Sequence, residues 1–229
     1  MCAQVALSEQ AKAWRQAARK RLLALRNSAA PQDHAHWSAA LGQALQQVLS
    51  LQAPWVVGLC WPYQAEFDAR HIAAWLRARG VRTALPVVQG PGQPLLWRDW
   101  WPGVAMQAGV YGIPVPVSTA LLLPDVLLVP PVGLDAQGYR LGYGGGYFDR
   151  TLAALVRKPL CIATAFEVSR IDTISPHVHD VRMDYVCTER TLQYWDGRAL
   201  QACDALTLRR HLEASAAERG LPQARPRPV

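Results

Sequence analysis

Between residues 140 and 150 the chain reads Arg140-Leu-Gly-Tyr-Gly-Gly-Gly-Tyr-Phe-Asp-Arg150, four glycines in eleven residues. Glycine adopts backbone angles that other residues avoid, and it has no side chain to hold a neighbour or a ligand away. Upstream, Asp125-Val-Leu-Leu-Val-Pro130 reads as a buried strand, and downstream residues 151–156 form an apolar, helix-like run. Successive N–H groups of such a loop can curl around an anion, and a helix starting just beyond turns its positive end to the same place. Strand, glycine loop and helix in that order are the plan of a phosphate site.

Glycine clusters also build plain tight turns, so the loop alone leaves both readings open. It is not a Walker loop, because no Gly-Lys-Ser/Thr follows, and its glycine spacing gives no convincing dinucleotide fingerprint. Its polar residues add direction. Arg140 can pair with phosphate, Tyr143 and Tyr147 lie among the glycines, and Asp149 is placed to hold Mg2+. That combination favours a nucleotide.

A chain of 229 residues with 51% hydrophobic and 18% charged residues is long and apolar enough for one substantial core. The net charge is +7, of which residues 1–30 supply +5, from Lys12, Arg15, Arg19, Lys20, Arg21 and Arg26 against Glu9. The positive charge is therefore largely one helix, which suits a solvated face or an anionic ligand better than a nucleic-acid surface. Five cysteines (Cys2, Cys60, Cys161, Cys187, Cys203) form no Cys-x-x-Cys pair, so neither a disulfide framework nor a zinc knuckle is indicated. Cys60 and Cys161 lie in apolar runs and read as buried free thiols. With no basic-then-apolar leader and no apolar stretch near ~20 residues, the expected setting is a reducing cytoplasm, away from membranes.

Ser8 is placed to cap a helix running to about residue 26, with Ala11, Trp14, Ala18, Leu22 and Leu25 as its buried stripe. Arg15, Arg19 and Arg26 then project from a neighbouring face. Pro31-Gln-Asp33 reads as the turn that ends the segment, and a second helix is expected over 36–49. Residues 55–60 are the first strand, and its carboxyl end runs into Trp61-Pro-Tyr-Gln-Ala-Glu66. Ligands of open parallel sheets bind outside the carboxyl ends of strands, which puts Trp61, Tyr63 and Glu66 where a site should be. On position alone, Glu66 is better explained as a charge favoured by the dipole of the next helix, residues 68–79.

A second strand covers 81–86. Residues 89–117 are rich in Gly and Pro and read as an irregular excursion, whose Trp97, Trp100 and Trp101 either line a pocket for a flat ring or fill the core. Further strands are expected at 125–130, 160–166 and 185–188. Around His177, His179, Asp180 and Asp184 a magnesium role for one aspartate is the better chemical match than a transition-metal cluster, since Pro176 makes the segment a loop. Beyond Trp195 the chain turns polar, with a short helix near 205–214 and a tail, 221–229, expected to be disordered. The alternation predicts one α/β domain over residues 1–198 with a mostly parallel central sheet, followed by a polar extension at 199–229.

The glycine loop, with Val-Pro-Pro-Val-Gly-Leu-Asp-Ala-Gln-Gly138 before it and Ala165-Phe166, His179-Asp180 and Asp184-Tyr-Val-Cys-Thr-Glu189 after it, resembles the 5-formyltetrahydrofolate cyclo-ligase (methenyltetrahydrofolate synthetase) family. The resemblance runs from the basic first helix to about residue 190. It implies a Rossmann-like three-layer α/β fold and an enzyme that uses MgATP to convert 5-formyltetrahydrofolate into 5,10-methenyltetrahydrofolate, ADP and phosphate. In that chemistry the formyl oxygen attacks the γ-phosphate, and N10 then closes the ring and expels phosphate. The resemblance also assigns residues. Arg140, Leu141, Gly142, Tyr143, Gly144, Gly145, Gly146, Tyr147 and Phe148 would bind ATP, with Lys12 and Arg15 from the first helix. Arg140 and Tyr147 would be catalytic, and Tyr143 to Tyr147 would also touch the folate, together with Trp61 and Glu66. Asp149 and Asp180 would hold Mg2+.

Three positions depart from the family pattern. Its Lys-x-x-x-Arg phosphate contact has Ala11 at the lysine position, and Lys12 lies one residue off, ~100° around a helix. Gly145 stands where many members carry lysine, and Glu167-Val-Ser169-Arg170 where many carry glutamine; Arg170, turned inward, would restore the missing charge. These departures keep open an ATP-dependent paralogue acting on another folate or formyl compound. A nucleic-acid-binding protein using the basic helix and exposed tryptophans is the remaining alternative, against which stand the charge concentration on one amphipathic helix and the lack of an RNA-binding signature. The expected partner is the folate as small-molecule substrate, with no membrane or nucleic acid, on a monomer or homodimer.

Overall fold

The computed structural model describes residues 8–50, 54–117 and 120–222. Ser8 caps α1 (Glu9–Asn27), its Oγ accepting from the Ala11 N–H at 3.2 Å. The helix buries Arg15, Ala18, Leu22 and Arg26, while Trp14 and Leu25 remain 41% and 43% exposed. The expected apolar stripe is thus rotated, and the inner face is a row of arginines separated by Ala18 and Leu22. Carbonyl and carboxylate partners, described below, hold those arginines inward. α2 (Pro31–Val48) begins at the proline read as a turn. Proline suits the first helical position, where its missing N–H would have no partner and its fixed φ is already helical.

β1 (Val56–Gly58) and β2 (Arg82–Val87) bracket α3 (Arg70–Arg77). The segment expected to be irregular instead supplies β3 (Leu96–Asp99), antiparallel to β2, and a hairpin of β4 (Met106–Ala108) and β5 (Pro114–Pro116). The prolines of β5 are tolerated because it pairs with one neighbour only. Trp97 and Trp100 fill the core, and Trp101 is exposed. Next come β6 (Val126–Val129), a small hairpin of β7 (Gly133–Leu134) and β8 (Arg140–Leu141), then α4 (Tyr147–Ala154) and β9 (Leu160–Thr164). β10 (Tyr185–Cys187), β11 (Leu192–Trp195), β12 (Leu200–Cys203) and α5 (Ala205–Glu218) complete the order.

Eight strands form the main sheet in the order β12-β11-β10-β9-β6-β1-β2-β3. β2, β1, β6, β9 and β10 run parallel, and the edges are antiparallel. Val126, Leu128, Leu160 and Ile162 pack with α2, α3 and α5 on one face. Leu127, Val129, Cys161 and Ala163 pack with α4 on the other, giving three layers. Burial on both faces is why these strands read as unbroken apolar runs.

The stretch after residue 198, read as a polar extension with a short helix near 205–214, supplies an edge strand and that helix, which is longer than expected and joins the core. α5 is capped by Asp204, whose Oδ1 accepts from Thr207 N at 2.7 Å, and it buries Leu208, Leu212 and Ala216. Leu221 is buried, and the Trp55 indole donates to the Pro222 carbonyl at 2.6 Å, so these first two residues of the segment expected to be disordered are packed against the core; residues 223–229 lie outside the described residues. Cys60, Cys161, Cys187 and Cys203 are free. Among the described residues, no helix is long and apolar enough to cross a membrane.

β1 lies between β2 and β6, so the chain leaves β1 in one direction and returns on its other side. A crevice opens at such a switch point, outside the carboxyl ends of the strands.

Candidate active site

The glycine loop is delivered by a hairpin that one buried carboxylate ties together. Asp135 Oδ1 accepts from Gln137 N and Tyr139 N, each at 2.9 Å, and Oδ2 accepts from Ile174 N at 3.2 Å. The returning strand places Arg140, itself buried, with Nη1 donating to the Val181 carbonyl at 2.7 Å and Nη2 to Asp149 Oδ1 at 2.8 Å. Leu141 anchors the hairpin in a cluster with Ala18, Leu22, Val132 and Ile174. Phe148 packs edge-on against Trp97. Gly144 (φ 101°) and Gly146 (φ 64°) occupy the left-handed region, and Gly146 leads directly into α4. Only glycine takes these angles without strain. Among the described residues, none accepts a hydrogen bond from the backbone N–H groups of residues 143–149. The loop and the first turn of α4 therefore present a row of open donors.

α1 lies across this loop with its arginine row. Arg15 Nη1 and Nη2 meet Asp180 at 3.2 and 2.5 Å, and Nη2 also donates to the Ser175 carbonyl at 3.0 Å. Burial works against ionisation of Asp180, but Arg15, the His177 N–H and Arg140 outweigh it and hold the carboxyl below its ordinary range. Arg19 Nε donates to the Gly142 carbonyl at 2.7 Å. Arg26 joins three segments, donating to the Gln64 carbonyl at 2.8 Å, the Pro131 carbonyl at 3.0 Å and the Tyr143 hydroxyl at 2.8 Å. Its carbonyl partners follow β1 and β6, the two strands at the switch point.

Glu66 closes the far side. It is 5% exposed, with Oε1 accepting from the Tyr143 hydroxyl at 2.7 Å and Oε2 from Tyr63 N at 3.1 Å, and with Arg26 3.9 Å away. Burial pushes its carboxyl up to about 7, against the opposing pull of Tyr143, Arg26 and the Tyr63 N–H. Burial of the phenol end and the nearby Glu66 likewise push the Tyr143 hydroxyl up.

The residues singled out from the sequence are therefore only partly gathered. Arg140 with Asp149, Arg15 with Asp180, and Glu66 with Tyr143 meet around the loop. Lys12 does not join them, since it pairs with Glu9 at 2.7 Å on the solvent side of α1. Trp61 packs edge-on to Trp100, with Arg70 over its ring at 4.5 Å. Arg170, which would restore the missing charge if turned inward, is held by Glu167 at 3.3 Å and by Thr191 and Gln193 at 3.1 and 2.6 Å. It lines a cavity of about 310 Å³ that shares no residue with the loop or with Glu66. Four residues that contact the loop were not assigned to the candidate site from the sequence: Arg19, Arg26, Arg150 and Tyr111, whose hydroxyl lies 3.3 Å from that of Tyr147. The signal available for the first two was the spacing of Arg15, Arg19, Leu22 and Arg26 on one helical face.

Comparison with known proteins places this geometry. The chain is similar to a 5-formyltetrahydrofolate cyclo-ligase of Mycolicibacterium smegmatis, 36% identical over 119 residues, which span 48% of this chain and 61% of that relative. It is 27% identical over 162 residues to the protein of the same name from Haemophilus influenzae, covering 68% of this chain and 86% of the relative. Among solved structures, the Aquifex aeolicus 5,10-methenyltetrahydrofolate synthetase superposes with a TM-score of 0.70 at 25% identity, over 82% of this chain and 96% of that one. A Mycoplasma pneumoniae 5,10-methenyltetrahydrofolate synthetase shares the fold, with a TM-score of 0.63 at 23% identity over 76% and 98% of the two chains. The sequence model of one family matches residues 11–189, most of the chain, and the chain belongs to that family, the 5-formyltetrahydrofolate cyclo-ligases.

Proposed function

We propose that this chain catalyses the ATP-dependent closure of 5-formyltetrahydrofolate to 5,10-methenyltetrahydrofolate, with release of ADP and phosphate. The observation that carries the reading is the 2.7 Å bond from the Tyr143 hydroxyl to Glu66 Oε1. It brings a loop suited to phosphate within one side chain of a buried carboxylate suited to a pterin. The reaction needs that closeness, because the γ-phosphorus and the formyl oxygen must be held at roughly 3–3.5 Å to react.

The open N–H groups of residues 143–149 suit phosphate oxygens. Ionised Glu66 accepts only, which matches the amino and ring N–H donors of a pterin, and Tyr143 would yield its place to them. Arg140, held in line by Asp149 and the Val181 carbonyl, would face the charge that grows as the formyl oxygen attacks and ADP leaves. N10 then adds to the phosphorylated carbon and gives up its proton, and phosphate departs with the former formyl oxygen. Tyr147, at the junction of loop and helix with its hydroxyl 3.3 Å from that of Tyr111, would supply a hydroxyl donor to that phosphate.

Magnesium fits Asp149 better than Asp180. Asp149 Oδ1 accepts from Arg140 and from Val181 N, leaving Oδ2 without a protein partner among the described residues, whereas both oxygens of Asp180 lie on Arg15. One carboxylate with substrate phosphates is an ordinary Mg2+ environment, and the ion would spread the γ-phosphate charge. Among the described residues, no group of three or more His, Cys, Asp or Glu side chains could hold a metal without the substrate. The free cysteines accord with a reducing cytoplasm as the working compartment.

The test is to mix the purified protein with 5-formyltetrahydrofolate and MgATP and to follow the near-ultraviolet absorbance of the methenyl product alongside ADP. The two should appear together, one for one. Nucleotide binding without methenyl formation would move the activity to another formyl compound, and absence of both would remove the catalytic reading.

A further inference from the structure

Besides Arg26, which bonds the Tyr143 hydroxyl and lies 3.9 Å from Glu66, four guanidinium groups gather at the glycine loop, and only two of those four are neutralised. Arg15 is paired with Asp180 and Arg140 with Asp149. Arg19 and Arg150 have no carboxylate partner among the described residues, and each is held instead by a carbonyl of the loop. Arg19 Nε donates to Gly142 O at 2.7 Å, and Arg150 Nη2 donates to Gly145 O. The loop has no cation of its own between residues 142 and 149, and these two arginines lie close over its glycines. A Cβ on Gly144 would stand 3.4 Å from Arg19 Cζ, and one on Gly146 would stand 2.8 Å from Arg150 Nη1.

Two consequences follow from elementary geometry and charge. In a trans peptide the C=O and the next N–H point opposite ways, so an arginine on the Gly142 and Gly145 carbonyls turns the N–H groups of Tyr143 and Gly146 away from it. Second, a guanidinium resting on a neutral carbonyl exchanges that bond for a stronger one when an anion arrives. Arg150 Nε is buried with no partner, leaving one edge of its fork unused. Burial and the neighbouring Arg15 lower the proton affinity of Arg19, against a weaker opposing pull from Asp180.

We propose that Arg19 and Arg150 are phosphate ligands of this loop, one from α1 and one from α4, and that they leave the Gly142 and Gly145 carbonyls to grip the triphosphate of the nucleotide. The inference rests on the loop being the ATP site. Two unpaired positive charges then meet the residual negative charge of a magnesium-bound triphosphate, and the fork of arginine suits two oxygens at once.

Calorimetric titration with MgATP and with inorganic tripolyphosphate tests it. Arg19→Gln and Arg150→Gln should each weaken both ligands about tenfold, and the double variant about a hundredfold, with 5-formyltetrahydrofolate binding and thermal unfolding unchanged. Arg19→Lys and Arg150→Lys should recover part of the tripolyphosphate affinity. If the wild type binds MgATP and the double Gln variant binds it equally well, the inference fails and the ATP reading stands. If the wild type binds neither MgATP nor tripolyphosphate, the ATP reading itself fails and takes the inference with it. Equal losses in the Lys and Gln variants with a lowered melting temperature would make the arginines mere braces of the loop, and would overturn the proposal.

Discussion

Glu66 is the residue whose environment and sequence position disagree most. Its folded-state carboxyl titrates at about 7 against an ordinary 4.5, so between those values the folded protein holds a proton that the unfolded chain releases. Stability therefore falls as pH rises through that window, by roughly 3 kcal/mol, an order-of-magnitude figure. Glu66→Gln should flatten this profile, which urea unfolding at pH 5 and pH 8 would check; parallel losses in both proteins would show that another group sets the slope. Folate affinity should run the other way, rising toward and beyond pH 7 as Glu66 ionises, with no such rise in the variant. The position of Glu66 after a strand was legible in the sequence, and the folate contact proposed for it came from the family pattern. Its partner Arg26 was legible as one of three arginines on a shared face of α1, but counting apolar residues selects Trp14 and Leu25 for the inner face and so turns that arginine face outward. Three arginines with carbonyl and carboxylate partners displaced them, and those partners lie 38 to 165 residues away in sequence.

The β4–β5 hairpin shows the same limit for whole elements. The parallel strands were readable because they are buried on both faces, whereas β3, β4 and β5 are only three or four residues long and antiparallel, too short for a two-residue period to stand out among the surrounding Gly and Pro. At the hairpin tip Tyr111 is 66% exposed yet adopts a left-handed backbone, φ 60°, and touches Tyr147 with its hydroxyl. Tyr111→Ala and Tyr111→Gly both lose that contact, but only glycine adopts the turn freely. The Gly variant should be the more stable of the two by about 1 kcal/mol in chemical denaturation. Equal stabilities would mean that the turn is not left-handed in solution.

At the scale of the molecule, the polar content of residues 199–222 left a short helix legible near 205–214 but concealed its place in the core. Its apolar residues, Leu208, Leu212 and Ala216, recur at helical spacing but are few, and their worth depends on α2 and the sheet behind them. Leu212→Ala should cost about 2–5 kcal/mol, and a chain ended at residue 198 should lose its cooperative thermal transition by circular dichroism. A truncated chain that melts like the parent would show that the rest of the fold closes without α5. Because α5 covers a face of α2, the core joins parts made early to parts made late. A ribosome releases the chain amino end first, and at about 5–20 residues per second the interval between Val48 and Pro222 is on the order of ten seconds or more. Throughout it the α2 face that α5 covers stays open to water, and the Trp55 indole waits for the Pro222 carbonyl. Any chaperone or protease that acts on the nascent protein has that interval in which to find it, so the order of synthesis sets when this core can close.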